Sequence, residues 1–303
     1  MVDLQTSVGE LKLKNPTMLA SGILGETGEL LLRVAKSGAG AVVTKSIGLE
    51  PREGHPNPTV IEFEFGLLNA VGLANPGIQD FKEELEIAMK GEVPVIGSIF
   101  GKGAREFAEL ATKMEEYGAS AVELNLSCPH AEGLGHEIGA EPKKVEQITK
   151  EVKGSVSIPV FPKLTPNVKD IVALADAASK GGADAVVAIN SVRAMAISPE
   201  TKMPILANKI GGLSGTAIRP IGVRCVYEIW REVSIPVIGV GGISSGMDAL
   251  QYLMAGASAV QIGSGVWIGG PGVFSNVCKE IEGFLEENDY KSLKEVIGAA
   301  HSC

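Results

Sequence analysis

GADAVVAIN, residues 182–190, runs from a glycine-led turn into an apolar stretch that stops on an amide side chain. Its opening phrase returns as GAGAVV at 38–43, GASAVE at 118–123 and GASAVQ at 256–261. Each copy follows sequence with amphipathic helical spacing, so Gly-Ala reads as the end of a helix and the apolar run after it as a buried strand. A second phrase interleaves with the first: VPVIGS at 93–98, IPVFPK at 158–163 and IPVIGV at 235–240. It too follows helix-like sequence, as at 143–152, and a proline is tolerated at the first position of a strand.

With PTMLAS at 16–21 as the first strand, apolar strands are expected near residues 18, 41, 95, 121, 159, 185, 236 and 259, separated by helices. Eight strand-helix units over roughly 250 residues predict an α/β fold, a single closed (β/α)8 barrel. That makes residues 1–303 one domain. A doubly wound sheet would carry G-x-G-x-x-G after its first strand. GAGAVV, GKGARE and GVGGIS all lack the third glycine, which argues against nicotinamide binding by this chain. Before the first strand, the sequence alternates around Val8-Gly9-Glu10 and predicts a hairpin closing the N-terminal mouth. Two connections are long, 46–80 after strand two and 190–220 after strand six. Such connections in a compact domain are lids or binding loops more often than spacers.

Composition narrows the function classes. The chain of 303 residues is 45% hydrophobic and 21% charged with 38 glycines, a globular and loop-rich balance. A net charge of -9 without any basic run argues against a nucleic-acid partner. No apolar window of about 18 residues occurs, so a cytoplasmic protein without a membrane anchor is expected. Cys128, Cys225, Cys278 and Cys303 are widely spaced and form no C-x-x-C, which supports neither an iron-sulfur cluster nor a metal site in this chain.

In such a barrel the active site is built from whatever follows each strand. Here those positions hold Ser21-Gly22, Thr44-Lys45-Ser46, Gly97-Ser98, Asn125 to Cys128, Lys163, Asn190-Ser191, Gly239 to Gly242 and Gly263-Ser264. The glycine clusters at the seventh and eighth ends, with GGLSG at 211–215, are either tight turns or a backbone cradle for a phosphate. Lys45 and Lys163 end apolar strands and face one bowl; two cations there suggest a bound anion or a ring that becomes negative. Asn69, Asn125 and Asn190 are turn residues taken singly, but together they suit a small ring with alternating N–H and C=O groups, such as a pyrimidine. Cys128 could be a small buried hydrophobe; in a polar loop after strand four it reads instead as a thiol exchanging a proton with carbon. His130 reads equally as a ligand contact, a loop residue or a base.

Taken in order, NPTMLASGILG (15–25), VVTKSIG (42–48), NAVGLANPG (69–77), ELNLSCPH (123–130), KLTPNV (163–168), AINSVRAMAI (188–197), IGGLSGTAIRP (210–220), GVGGISSGMDAL (239–250) and QIGSGVW (261–267) resemble the dihydroorotate dehydrogenases over essentially the whole chain. Cysteine in the strand-four loop resembles the soluble class 1 enzymes, and the 189–197 and 211–224 stretches resemble the NAD-linked subclass 1B. The resemblance implies FMN-dependent oxidation of (S)-dihydroorotate to orotate in pyrimidine biosynthesis. It also implies a homodimer core within a heterotetramer, completed by an electron-transfer subunit carrying FAD and a [2Fe–2S] cluster.

By the same resemblance Cys128 and Lys163 are catalytic. Ser21, Lys45, Ser46, Asn125, Lys163, Ile189, Gly215, Gly241, Gly242, Gly263 and Ser264 hold FMN. Lys45, Asn69, Gly72, Leu73, Asn125, Asn190 and Ser191 hold the substrate. Two positions depart from the usual pattern, with His130 and Ser98 standing where many members have Asn. The motifs NLSCPH, KLTPNV and GTAIRP also resemble dihydropyrimidine dehydrogenase, which reduces uracil or thymine. A barrel that only binds a phosphate ligand or serves as a scaffold is the non-enzymatic alternative.

Overall fold

A computed structural model describes residues 2–127 and 138–302. Its centre is a closed parallel barrel of β1 (Thr17–Leu19), β2 (Ala41–Val43), β3 (Val95–Ile99), β4 (Ala121–Asn125), β5 (Val160–Leu164), β6 (Val186–Ala188), β7 (Val237–Val240) and β8 (Ala257–Ile262). Strands neighbour one another in chain order, and β8 closes on β1 through Val260↔Thr17. The predicted centres at 159, 185 and 236 fall one residue before β5, β6 and β7, two of them being Pro159 and Pro236 and the third Ala185.

The period of two along each strand sorts side chains to the two sides of the barrel wall. Met18, Val43, Ile96, Ala121, Phe161, Val187, Ile238 and Ala259 form one apolar cluster inside the barrel. The alternate residues, such as Leu19, Val42, Val95, Val122 and Val160, join a larger cluster with the surrounding helices. Helix Ala104–Glu116 shows how that outer layer is built: Phe107, Leu110, Ala111 and Met114 recur at spacings of three and four and are all buried. At Gly97 on β3, a Cβ would lie 2.8 Å from Met114 Sδ, so a side chain there would push the helix away.

The hairpin pairs Thr6–Val8 with Leu11–Leu13 around Gly9, whose φ of 57° lies in the left-handed region glycine tolerates. Val8 and Leu13 belong to the barrel-interior cluster, so the hairpin plugs one end of the lumen, as expected. At the other end the two long connections meet. Val60–Phe63 and Gly66–Asn69 from the first, and Val192–Met195 and Ile210–Ser214 from the second, form one four-stranded antiparallel sheet. It is knitted across the connections by Gly212↔Asn69 and Ser214↔Leu67. No helix among the described residues is long and apolar enough to cross a membrane.

Candidate active site

Moving two residues beyond the apolar lumen layer on each strand reaches Ala20, Lys45, Ser98, Glu123, Lys163, Ile189, Val240 and Gln261. The barrel interior therefore turns polar at the C-terminal strand ends. There a cavity of about 740 Å³ opens, within the ordinary range for a small-molecule or cofactor site.

One wall is a continuous hydrogen-bonded network drawn from five strand ends. Ser46 Oγ lies 3.1 Å from Ser21 Oγ and 2.9 Å from Ser98 Oγ, and Ser21 Oγ donates to Ser98 Oγ at 3.2 Å. Asn125 Nδ2 donates to Ser46 Oγ at 3.0 Å, and Asn190 Nδ2 donates to Asn125 Oδ1 at 3.2 Å. The Ser191 backbone N–H donates to Asn190 Oδ1 at 2.8 Å, which fixes that amide's orientation. Both ends of each amide thus bond to protein, and each amide keeps one further N–H donor beyond these bonds. Ser127 Oγ is buried without a hydrogen-bond partner among the described residues, and its residue lines the same cavity.

Asn69 enters from the long connection after β2. Its Nδ2 donates to Gly212 O at 3.1 Å, tying both connections together over the cavity. Gly72 and Leu73 line that roof with φ of 80° and 58°. A Cβ at Gly72 would lie 2.7 Å from the His55 backbone N, so a side chain is excluded there.

The opposite end is glycine-rich. Gly241 and Gly242, with φ of 132° and 66°, and Gly263 and Ser264 line the cavity. A Cβ on Gly263 would meet only Ala20 Cβ, at 3.5 Å, and one on Gly22 would meet nothing within 4 Å. Both glycines therefore open onto the cavity, a cradle that a methyl group would fill. Tyr252 braces this end from behind, its buried hydroxyl donating to Gly241 O at 2.7 Å. Asp248 does the same from the first turn of the same helix, Gly246–Met254: Oδ2 accepts from the backbone N–H of Ser244 and Ser245 at 3.0 and 3.1 Å, while Oδ1 pairs with Arg219. Burial pushes the Tyr252 phenol far above its usual range, so it stays a donor.

The two lysines are more constrained than their sequence positions imply. Besides the bound anion or electron-accepting ring that their positions suggest, each has a carboxylate partner within the protein. Lys45 Nζ lies 3.4 Å from Glu26 Oε1 near the rim. Lys163 Nζ lies 3.3 Å from Glu123 Oε1 and 3.0 Å from Gln261 Oε1 on the cavity floor. Glu123 is 0% exposed. Sequence reasoning passed over Glu123, Gln261 and Tyr252. The signal for the first two was available: an acid and an amide placed in the lumen-facing register of otherwise apolar strands.

Of the predicted site residues, Ser21, Lys45, Ser46, Asn69, Gly72 and Leu73 line this one cavity, as do Asn125, Lys163, Ile189, Asn190, Ser191, Gly241, Gly242, Gly263 and Ser264. Gly215 stands behind the lining: its carbonyl oxygen would be 2.5 Å from a Cβ on Gly242. Cys128 and His130 lie outside the described residues. Cys225, by contrast, is fully buried, and burial pushes its thiol up to about 11; Cys278 is likewise raised by burial. Both are packing residues.

Comparison with known proteins places these features in context. The family model described as "Dihydroorotate dehydrogenase" matches residues 3–285. A protein of Methanocaldococcus jannaschii is 54% identical over 302 residues, covering 98% of each chain. One of Thermoplasma acidophilum is 52% identical over 300 residues, covering 99% of each. One of Pyrococcus abyssi is 52% identical over 297 residues, covering 98% of this chain and 99% of its own. All three are named "Dihydroorotate dehydrogenase B (NAD(+)), catalytic subunit".

Proposed function

The chain belongs to the dihydroorotate dehydrogenase family, and we propose that it is the catalytic subunit that oxidises (S)-dihydroorotate to orotate in pyrimidine biosynthesis. Residues 1–303 act as one FMN-binding barrel in the cytoplasm, and a partner subunit carrying FAD and a [2Fe–2S] cluster relays electrons to NAD. The observation that carries this reading is the convergence of Lys45, Asn69, Asn125 and Asn190, from separate strands and connections, on one cavity with an open glycine cradle.

The residues present fit FMN. Open space at Gly22 and Gly263, with the left-handed backbone at Gly241 and Gly242, suits the close approach of a phosphate. Ser21, Ser46, Asn125, Lys163, Ile189 and Ser264 would surround the rest of the cofactor, with Gly215 supporting Gly242. FMN, when bound, supplies the two-electron acceptor for the hydride at substrate C6.

The chain's own residues do the remaining work. Lys45 pairs with the substrate carboxylate. Asn69, Asn125 and Asn190, with the backbone at Gly72, Leu73 and Ser191, hold the ring's N–H and C=O groups and so fix which face of the ring is presented. Cys128 takes the C5 proton as the C5=C6 double bond forms, which leaves the thiol protonated and the ring oxidised. Lys163 holds a positive charge at the cavity floor.

Reduction of uracil or thymine, the alternative chemistry, involves no carboxylate. Lys45 and Arg193, both lining the cavity, favour the carboxylated ring. Anaerobic titration tests the assignment. The yellow protein is expected to bleach with dihydroorotate and not with dihydrouracil; bleaching by dihydrouracil alone would refute it. Colourless protein without FMN affinity would point instead to the scaffold reading. Cys128→Ala is expected to keep FMN and lose bleaching by dihydroorotate.

A further inference from the structure

Three side chains below the cavity close a ring across the barrel lumen. Lys163 Nζ donates to Glu123 Oε1 at 3.3 Å and to Gln261 Oε1 at 3.0 Å, and Gln261 Nε2 donates to Glu123 Oε2 at 2.6 Å. Glu123 and Lys163 stand on the adjacent strands β4 and β5, whereas Gln261 reaches over from β8 on the far side. The layer beneath makes room for this: Ala121 and Ala259 lie two residues below Glu123 and Gln261. The three residues are 0%, 6% and 1% exposed.

Hydrogen-bond accounting gives the ring a direction. Only one orientation of the Gln261 amide serves both neighbours, with its oxygen toward the ammonium and its NH2 toward the carboxylate. An ammonium has three N–H donors; two are committed, and the third is left for the cavity that Lys163 lines. Stability alone does not explain the arrangement, because a buried ion pair is generally no better than well-packed apolar residues of similar volume.

We propose that Glu123, oriented by Gln261, is a positioning and charge-balancing residue: it aims the free Lys163 donor into the cavity and offsets its charge, thereby setting the reduction potential of the bound flavin. This rests on the FMN reading above. The carboxylate holds back the stabilisation that the ammonium gives to the negatively charged reduced cofactor. Removing the negative charge makes the floor more cationic and raises the potential; removing both charges lowers it.

The test is the two-electron potential of purified FMN-loaded protein, measured anaerobically against redox dyes, together with FMN affinity and thermal unfolding. Glu123→Gln should shift the equilibrium constant for flavin reduction upward roughly tenfold, about +30 mV for a two-electron couple. Glu123→Asp keeps the charge and should lie within about threefold of wild type, about 15 mV on the same scale. The double variant Glu123→Gln/Lys163→Met should fall below wild type. A Glu123→Gln protein that binds FMN at an unchanged potential would overturn the inference. Should that variant not fold, a double variant with the wild-type potential would overturn it equally, and one with a lowered potential would support it. Wild-type protein that binds no FMN removes the cofactor reading itself, a result distinct from an unmoved potential.

Discussion

Gly263→Ala separates the glycine cradle's role in folding from its role in binding. The added Cβ would meet only Ala20 Cβ, at 3.5 Å, an ordinary contact, and would otherwise project into the cavity. Gly263 is not among the positive-φ residues, so alanine can adopt its backbone without strain. Such a change is expected to leave the cofactor-free protein unaltered, or to stabilise it by up to about 1 kcal/mol through the lost freedom of the unfolded chain. With FMN the sign reverses. A methyl group standing where the phosphate approaches is an overpacking defect of about 1–3 kcal/mol. At about 1.4 kcal/mol per factor of ten, this weakens FMN binding roughly 5- to 150-fold. Thermal unfolding of the cofactor-free protein and fluorescence titration with FMN read the two effects separately. FMN affinity within twofold of wild type would refute the cradle assignment. A large loss of cofactor-free stability would mean instead that Gly263 is a packing glycine. Gly222→Ala is the contrasting case: its Cβ would collide with the Tyr252 hydroxyl and so should destabilise the protein with or without FMN.

Tyr252→Phe strips the hydroxyl from the Gly241, Val240 and Arg219 carbonyl oxygens; it is expected to cost about 1–3 kcal/mol in denaturant unfolding, and an unchanged midpoint would refute its bracing role. Asn125→Ala severs the link between Ser46 and Asn190, and kcat/KM for dihydroorotate should fall by about 10²-fold or more, as expected when substrate-positioning contacts are lost. Burial of Cys225 predicts a pH dependence: above about pH 9 the unfolded thiol ionises while the folded one, near 11, stays protonated, so the unfolded state binds fewer protons and stability falls as pH rises through that window. Cys225→Ala should flatten that slope in urea titrations at pH 8 to 11, and an unaltered slope would assign it to other groups.

The barrel was legible in the chain because its cause is local and repeated. GAGAVV, GASAVE, GADAVV and GASAVQ each encode the same event, a helix end feeding a buried strand, and counting such events is enough to close a cylinder. The strand ends then named the part of the cavity lining that the barrel itself supplies, from Ser21 to Ser264, since in a parallel barrel position along the chain translates directly into position around the mouth. The hairpin around Gly9 was legible for the same reason, its pairing being between residues only a few apart.

What escaped the linear reading involves partners distant in the chain. Nothing near residues 66–69 says that they pair with 210–214, so the two long connections read as separate loops rather than one sheet. Glu123 reads as an oddity within AVELN until Lys163 from the adjacent strand and Gln261 from across the lumen meet it. The sequence by itself determined which residues would stand at the mouth, because strand periodicity and strand order follow from local patterning. Only the tertiary structure decided which charges neutralise one another and where each amide points, because hydrogen bonds and ion pairs depend on distances across the barrel.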